Sequence, residues 1–385
     1  MGEINLDNTG SGGAVTLSSD GTSLLLDGSA IGGGGGGADL YAANEVSVTA
    51  QPSATGDDAV AIGDSAVSSG ANAIAFGFSS LASGGNAISI GNGEANNSNA
   101  IAIGGNSLSS GVQSFADGHS AVSTGSYSHA TTNSYASGSN SLAAAIANNS
   151  ASYGATGANS VALGKLAKAT GANSVAISSN TYGGGAVASS SGAVAIGDGA
   201  TASNLSSVAL GRDATASGNT SIAIGRNARA TQELSVAIGY QAYSDVYGSI
   251  AFASGYFGST FGDAQGRMYI LRRATTDATP AELGATAEQV KVPTNGAVVF
   301  DGLITGLESG VNSYAGWKIE GMIVNDGGTT TLVNSAITTI HNTPSWGLAL
   351  TADNTNNRLA ITVTGEASHN IRWVGNIRTV ETIYA

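Results

Sequence analysis

The sequence predicts an all-β chain: a parallel β-solenoid followed by an antiparallel β-sandwich or jelly-roll-like unit. Three observations predict it. A short apolar run closed by glycine recurs every fourteen residues, as at Gly197, Gly211, Gly225 and Gly239, and a fixed period of this kind is the mark of stacked coils. Only 10% of the 385 residues are charged and 57 are Gly, so little Lys, Glu or Arg is available to solvate long helices. Beyond Met268 the text changes to longer β-type runs separated by turn sequences.

Taken in order, residues 1–31 form an N-terminal docking or assembly segment, with β-type runs at Gly13 to Leu17 and Ser23 to Leu26. Residues 32–52 read as a Gly-rich linker that opens with six consecutive glycines, Gly32 to Gly37. Residues 53–261 carry the repeat. Each unit closes its first strand at a residue such as Gly63, Gly77 or Gly91, and a second corner falls seven residues on, as at Gly70, Gly84 and Gly111. Two short strands and two tight turns then make one coil, with glycine at the corners for its freedom at positive φ. Fourteen coils at about 4.8 Å each predict a rod of roughly 65 Å.

Within a coil the first strand, as in Ala59-Val60-Ala61-Ile62, is apolar on both faces and is expected to be covered twice. Val and Ile are expected to fill the coil interior, with Ala facing a close neighbour outside. That neighbour is expected to be another copy of the rod. The second strand, as in Ala214-Thr215-Ala216-Ser217, alternates and is expected to face solvent. Asn recurs at Asn72, Asn86, Asn99, Asn140, Asn159 and Asn173, a pattern that predicts hydrogen-bonded ladders along the rod.

The units Asn159-Ser160-Val161-Ala162-Leu163-Gly164 and Asn173-Ser174-Val175-Ala176-Ile177 resemble the head repeat of trimeric autotransporter adhesins of the Yersinia adhesin type. That resemblance implies a left-handed parallel β-roll with three chains side by side, a homotrimer. The signal peptide, coiled-coil stalk and membrane anchor of those adhesins are not evident in this sequence. Two weaker likenesses are to tailed-bacteriophage fibre proteins: Gly2-Glu3-Ile4-Asn5-Leu6-Asp7 at the start, and Gly262-Asp263-Ala264-Gln265-Gly266-Arg267 with Leu271-Arg272-Arg273 later. They imply a virion fibre or spike whose N-terminal segment docks to other virion proteins and whose far end meets a host surface glycan or protein. The alternative is the passenger fragment of a bacterial surface adhesin.

Residues 262–385 form the C-terminal unit, with runs expected at Met268 to Arg273, Gly296 to Leu303, Gly316 to Asn325, Thr329 to Ile340, Trp346 to Ala352, Arg358 to Thr364 and Asn370 to Ile383. Between rod and C-terminal unit, Tyr240, Tyr243, Tyr247, Phe252, Tyr256, Phe257 and Phe261 are expected to cap the open end of the solenoid.

The net charge is −13 and no Lys or Arg precedes Lys165. Nucleic acid and anionic membranes are therefore not expected partners, since both need clustered cations, and no apolar run approaches the length needed to span a bilayer. Without Cys there is neither disulfide nor thiolate site. The four histidines are scattered and no metal or other cofactor is expected. Candidate binding residues are Trp317, Trp346 and Trp373, which could stack on sugar rings or else pack in the core, since strand parity does not assign their faces. Two coils are five residues longer than the rest, and their loops offer Asn148, Asn149, Tyr153 and Tyr182. No catalytic residues are expected; Asp301, Glu308 and Glu320 are the carboxylates a glycan depolymerase would have to use.

Overall fold

A computed structural model describes strands within residues 1–49 by their backbone. It describes residues 50–384 except 149, 180–183, 259, 286, 311–312 and 343. Among the described residues every regular element is a strand. Near the N-terminus Ile4–Leu6, Val15–Ser19, Leu24–Leu26 and Ser29–Ala30 form an antiparallel sheet in chain order. The expected glycine joint, Gly32 to Gly37, lies outside the described residues.

The repeat folds into a parallel solenoid. Second strands stack into a 14-stranded sheet from Ser53–Ala54 to Tyr243–Ser244. First strands stack from Val60–Ile62 to Ile250–Ala253, with equivalent residues in register, Val194 on Val208 and Val208 on Ile222. The closing glycines take positive φ as expected, from +90° at Gly164 to +124° at Gly77. The second corner differs in its reason. There the left-handed residue is the Asn two positions later, such as Asn72 at +56°, a conformation Asn tolerates. Gly70 is needed for close approach instead: a Cβ on it would lie 1.9 Å from the Gly84 carbonyl oxygen of the next coil. The Asn ladder forms in part, with Asn86 Nδ2 donating to Asn99, Asn140 to Asn159 and Asn159 to Asn173 at 3.1–3.3 Å.

The coil interior corrects the expectation for side-chain size. Ala from both strands points inward, and Ala195, Ala202, Ala209, Ala216 and Ala223 are fully buried in one cluster. Val and Ile point outward, as in the half-buried, buried, half-buried pattern of Val208–Leu210. The coil is too thin for branched side chains from both walls, so methyl groups and small hydroxyls line it, with Ile146 of a long coil as a larger side chain in the same cluster. Many of the hydroxyls find partners within the coil: Ser160 and Ser174 donate to Gly157 O and Gly171 O at 2.6 and 2.7 Å, and Ser109 pairs with Ser114 at 2.6 Å. In the second strand Thr215 faces outward between buried Ala214 and Ala216, as the alternation predicts.

All seven C-terminal runs are strands. Five long ones continue the first-strand sheet of the solenoid, all antiparallel, in the order Ala264–Thr275, Ile371–Ile383, Gly296–Glu308, Tyr314–Asp326 and Thr329–Asn342. A smaller sheet of Ala281–Glu282, Val290–Lys291, Gly347–Asp353 and Arg358–Thr364 covers one face. The two sheets share a core that includes Tyr269, Phe300, Ile319, Leu359, Ile361 and Trp373.

Candidate functional site

The outward residues of the first strands form two apolar columns along the rod. One runs through Val194, Val208, Ile222, Val236 and Ile250, the other through Ile196, Leu210, Ile224, Ile238 and Phe252. Ile224 and Ile238 are each 39% exposed in the single chain. The columns are interrupted near mid-rod, where Asp117 and Thr131 replace aliphatic residues and His129 stacks on Phe115 at 4.7 Å.

The same outward face passes into the C-terminal sheet, because Ile250 pairs with Met268 and Phe252 with Gly266. Beyond the junction Ile270, Val299, Leu303 and Val380 stand on that face, Leu303 at 59% and Val380 at 69% exposure. A contiguous exposed apolar surface of this extent marks an interaction site. Two ion pairs stand on it, Arg378 with Asp301 and Lys318 with Glu320 at 2.7 Å, and strand parity puts Arg272 and Arg372 on the same face.

The end of the solenoid is closed by a device that the aromatic cluster did not announce. Gln265, 22 residues from Tyr243 in sequence, accepts from Tyr243 N at 3.0 Å and donates to Tyr243 O at 3.1 Å. One side-chain amide thus stands in for the missing next strand. Beneath it Arg267 bridges Asp245 of the last coil, 2.6 Å away, and Glu381 of the last strand, 3.1 Å away, while Lys291 also pairs with Asp245. Burial alone would raise the Asp245 pKa, but Arg267 and Lys291 outweigh it and hold that carboxyl below its ordinary value of 3.8. Of the expected cap, Tyr240 and Tyr256 meet edge to face at 5.4 Å and Arg229 lies 3.7 Å over the Phe261 ring. Phe252 and Phe257 are exposed instead.

The three tryptophans, for which sugar stacking and core packing were both open, are core residues in this chain. Trp317, Trp346 and Trp373 are 2%, 4% and 0% exposed. They pack on one another, with Trp373 central at 6.0 Å from Trp317 and 5.2 Å from Trp346. Strand parity turns Trp317 and Trp373 inward with Ile304 and Ile319, and Gly306 makes room: a Cβ there would meet the Trp373 ring at 2.6 Å.

Both long loops leave the same corner of alternate coils, after Leu142–Ala144 and after Val175–Ile177, and so sit two coils, about 10 Å, apart. Tyr153 is half-buried against the alanine core, which makes it an anchor of its own loop. Asn148 is half-buried and accepts from Ser150 N at 3.0 Å. Asn149 and Tyr182 lie outside the described residues.

Asp301 and Glu320 are opposite neighbours on adjacent strands, each held by its cation on the open sheet face. Glu308 is at the strand end, 2.6 Å from His369 Nδ1. Among the described residues no group of three His, Cys, Asp or Glu could hold a metal ion. No described helix is long and apolar enough to cross a membrane, which says nothing of β-barrels.

A basic cluster is the feature that sequence reasoning passed over. The strand Ala264–Thr275 pairs with the last coil only through Gly266–Met268, so Tyr269–Thr275 overhangs the rod by about 24 Å. On that overhang Arg273 pairs with Trp373 and Ala274 with Arg372. This register sets Arg272 and Arg372 diagonally across neighbouring strands on the outward face, with Arg273 on the other face, and all three are exposed. The Arg272-Arg273 doublet was visible in the sequence; its meeting with Arg372 depends on the strand pairing.

The family model described as YadA head domain repeat matches residues 54–80, 68–93, 95–119, 155–177, 202–228 and 230–252. No curated protein matches the chain. Three solved tailspike structures were compared. A capsular polysaccharide depolymerase from Acinetobacter baumannii bacteriophage Fri1 is 11% identical, covers 87% of this chain and 72% of its own, and has a TM-score of 0.21. The tailspike of Acinetobacter phage vB_ApiP_P1 is 10% identical over 90% and 81%, TM-score 0.22. That of A. baumannii phage AM24 is 8% identical over 73% and 57%, TM-score 0.18. At these scores none of the three bears on the fold of this chain. The repeat region is similar to the YadA head domain repeat, as its Asn-Ser-Val-Ala units indicated.

Proposed function

We propose that the chain is a non-catalytic, homotrimeric attachment rod of a bacteriophage virion. Its N-terminal segment docks to the particle and its C-terminal end engages a saccharide on the host surface. The observation that carries the trimer is the outward apolar face, which continues in register from the last coils of the solenoid into the C-terminal sheet. Three copies laid face to face would bury Ile224, Ile238, Leu303 and Val380, and Arg378–Asp301 and Lys318–Glu320 would enter that interface already paired. Similarity of the repeat to an adhesin head supports attachment as the purpose of the rod. The same similarity favours a second reading, a bacterial surface adhesin passenger.

Absence of catalysis rests on the carboxylates: Asp301 and Glu320 are each engaged by a cation and lie on an open sheet, whereas glycoside cleavage needs one carboxyl kept protonated against the scissile bond. Labelling intact particles and cells with antibody to the purified chain separates the readings. Signal on virions supports the fibre, and signal on bacterial surfaces in the absence of phage supports the adhesin. Release of reducing sugars from host polysaccharide would overturn the non-catalytic assignment.

A further inference from the structure

The amide ladder along one corner of the rod has a gap. Corner residues of successive coils follow one another as Asn86, Asn99, Gln113, Tyr127, Asn140 and Asn159. Each backbone N–H donates to the residue just before the equivalent corner of the preceding coil, as Tyr127 N to Val112 O at 2.8 Å and Asn140 N to Ser126 O at 2.9 Å. The Asn86 side chain bonds that of Asn99, and Asn140 that of Asn159. Across the gap, among the described residues, Asn99 Nδ2, the Gln113 amide and Asn140 Oδ1 make no hydrogen bond, and all four side chains from Asn99 to Asn140 are exposed.

Tyr127 stands there at a cost. Its φ is +59°, a left-handed conformation that Asn adopts readily and a bulky side chain does not. Packing does not repay the strain, because Tyr127 is 59% exposed. Strain held at an exposed position points to function. The surroundings are uncharged: between Glu94 and Lys165, Asp117 is the one Asp, Glu, Lys or Arg. An aromatic face can stack on the apolar face of a sugar ring, and amides one coil to either side, about 4.8 Å away, can both donate to and accept from its hydroxyls.

We infer that this corner is a binding platform for a neutral pyranose, with Tyr127 stacking on the ring and Gln113 and Asn140 bonding its hydroxyls. The platform stands beside the apolar columns and not on them: Ser128 turns into the coil at 2% exposure, and His129 is the column residue. A trimer carries three such platforms at one level of the rod, so a polysaccharide that spans two of them gains by effective concentration. The inference rests on the attachment reading and adds to the contact at the C-terminal end a second one along the rod.

The test is saturation-transfer NMR of the full chain with maltoheptaose, with oligogalacturonate as the charged probe. Transfer should reach the ring C–H protons of maltoheptaose and be weaker for oligogalacturonate. Tyr127→Asn restores the usual residue of this corner, so the melting temperature should hold or rise while transfer falls at least about fivefold. Tyr127→Phe keeps the ring and should keep the signal. Leu234, at φ +56° and 43% exposed in another coil, is the control: Leu234→Asn gives the same backbone relief and should leave transfer unchanged. No transfer from the unaltered chain, transfer that survives Tyr127→Asn, or equal loss in Leu234→Asn would each overturn the inference. A lower melting temperature in Tyr127→Asn would do so too, by showing that the ring is there for packing. Adhesion to host cells is measured separately. Adhesion without maltoheptaose transfer removes this platform and leaves the attachment reading, whereas transfer without adhesion does the reverse.

Discussion

Exchanging the positions of one valine and one alanine tests the solenoid interior without changing composition. Ala209 is fully buried between Ala195 and Ala223, and Val208 beside it points outward. Ala209→Val adds two carbons where the neighbours above and below are alanines and where backbone atoms of successive coils leave no room to shift. Overpacking costs about 1–3 kcal/mol in cores with ordinary slack, so about 3 kcal/mol is expected here. Val208→Ala removes two carbons from a half-buried side chain, for which about 1 kcal/mol is a fair figure, since full burial of Val is worth roughly 1.5–3 kcal/mol. The double exchange should therefore cost about 4 kcal/mol per chain, most of it from the inward valine. Denaturant midpoints of the two single variants and the double variant, at fixed protein concentration, measure this. If Ala209→Val were neutral and Val208→Ala the more costly change, the interior would hold the branched residues and the account of the coil would be wrong.

Other predictions follow from the same geometry. Gly70→Ala places a Cβ 1.9 Å from the Gly84 carbonyl and should cost well over the ~1 kcal/mol by which Ala and Gly ordinarily differ, read as a lower melting temperature. Glu381→Gln or Asp245→Asn leaves buried Arg267 with one carboxylate instead of two and should cost about 1.5–3 kcal/mol, seen as early loss of tryptophan fluorescence from the C-terminal unit. Because the folded pKa of Asp245 lies below the ordinary 3.8, its contribution is complete above that value and lost as pH falls through the folded one. The C-terminal unit should therefore loosen below about pH 4, and fluorescence unchanged down to pH 2 would contradict this. Ile224→Asp should disrupt assembly, because each copy would bury a carboxylate at a cost of several kcal/mol. Thr215→Asp on the opposite sheet should leave assembly intact.

What the sequence made legible was periodicity. Coil boundaries, the positive-φ closing glycines and all seven C-terminal strands follow from spacing and turn residues, which act locally. The direction of the first strand was not legible, because Val-Ala-Ile is apolar at every position and a period of two carries no sign when both phases are hydrophobic. Coil thickness decides it, and thickness is a property of two strands and their stacking. The faces of the tryptophans were left open for a related reason: parity cannot be assigned until the partner strand is known, and Trp373 is turned inward by its pairing with Gly306 and Arg273. Gln265 gave no local signal, since its role as a substitute strand exists only against Tyr243. Arg372 likewise comes onto one face with Arg272 only through the strand register.

Sedimentation equilibrium of the purified chain tests the central claim most directly. A particle of three times 37.5 kDa, converted toward monomer by Ile224→Asp but not by Thr215→Asp, is the predicted result. A wild-type chain that stays folded and monomeric would leave the apolar face without its partner and contradict the account.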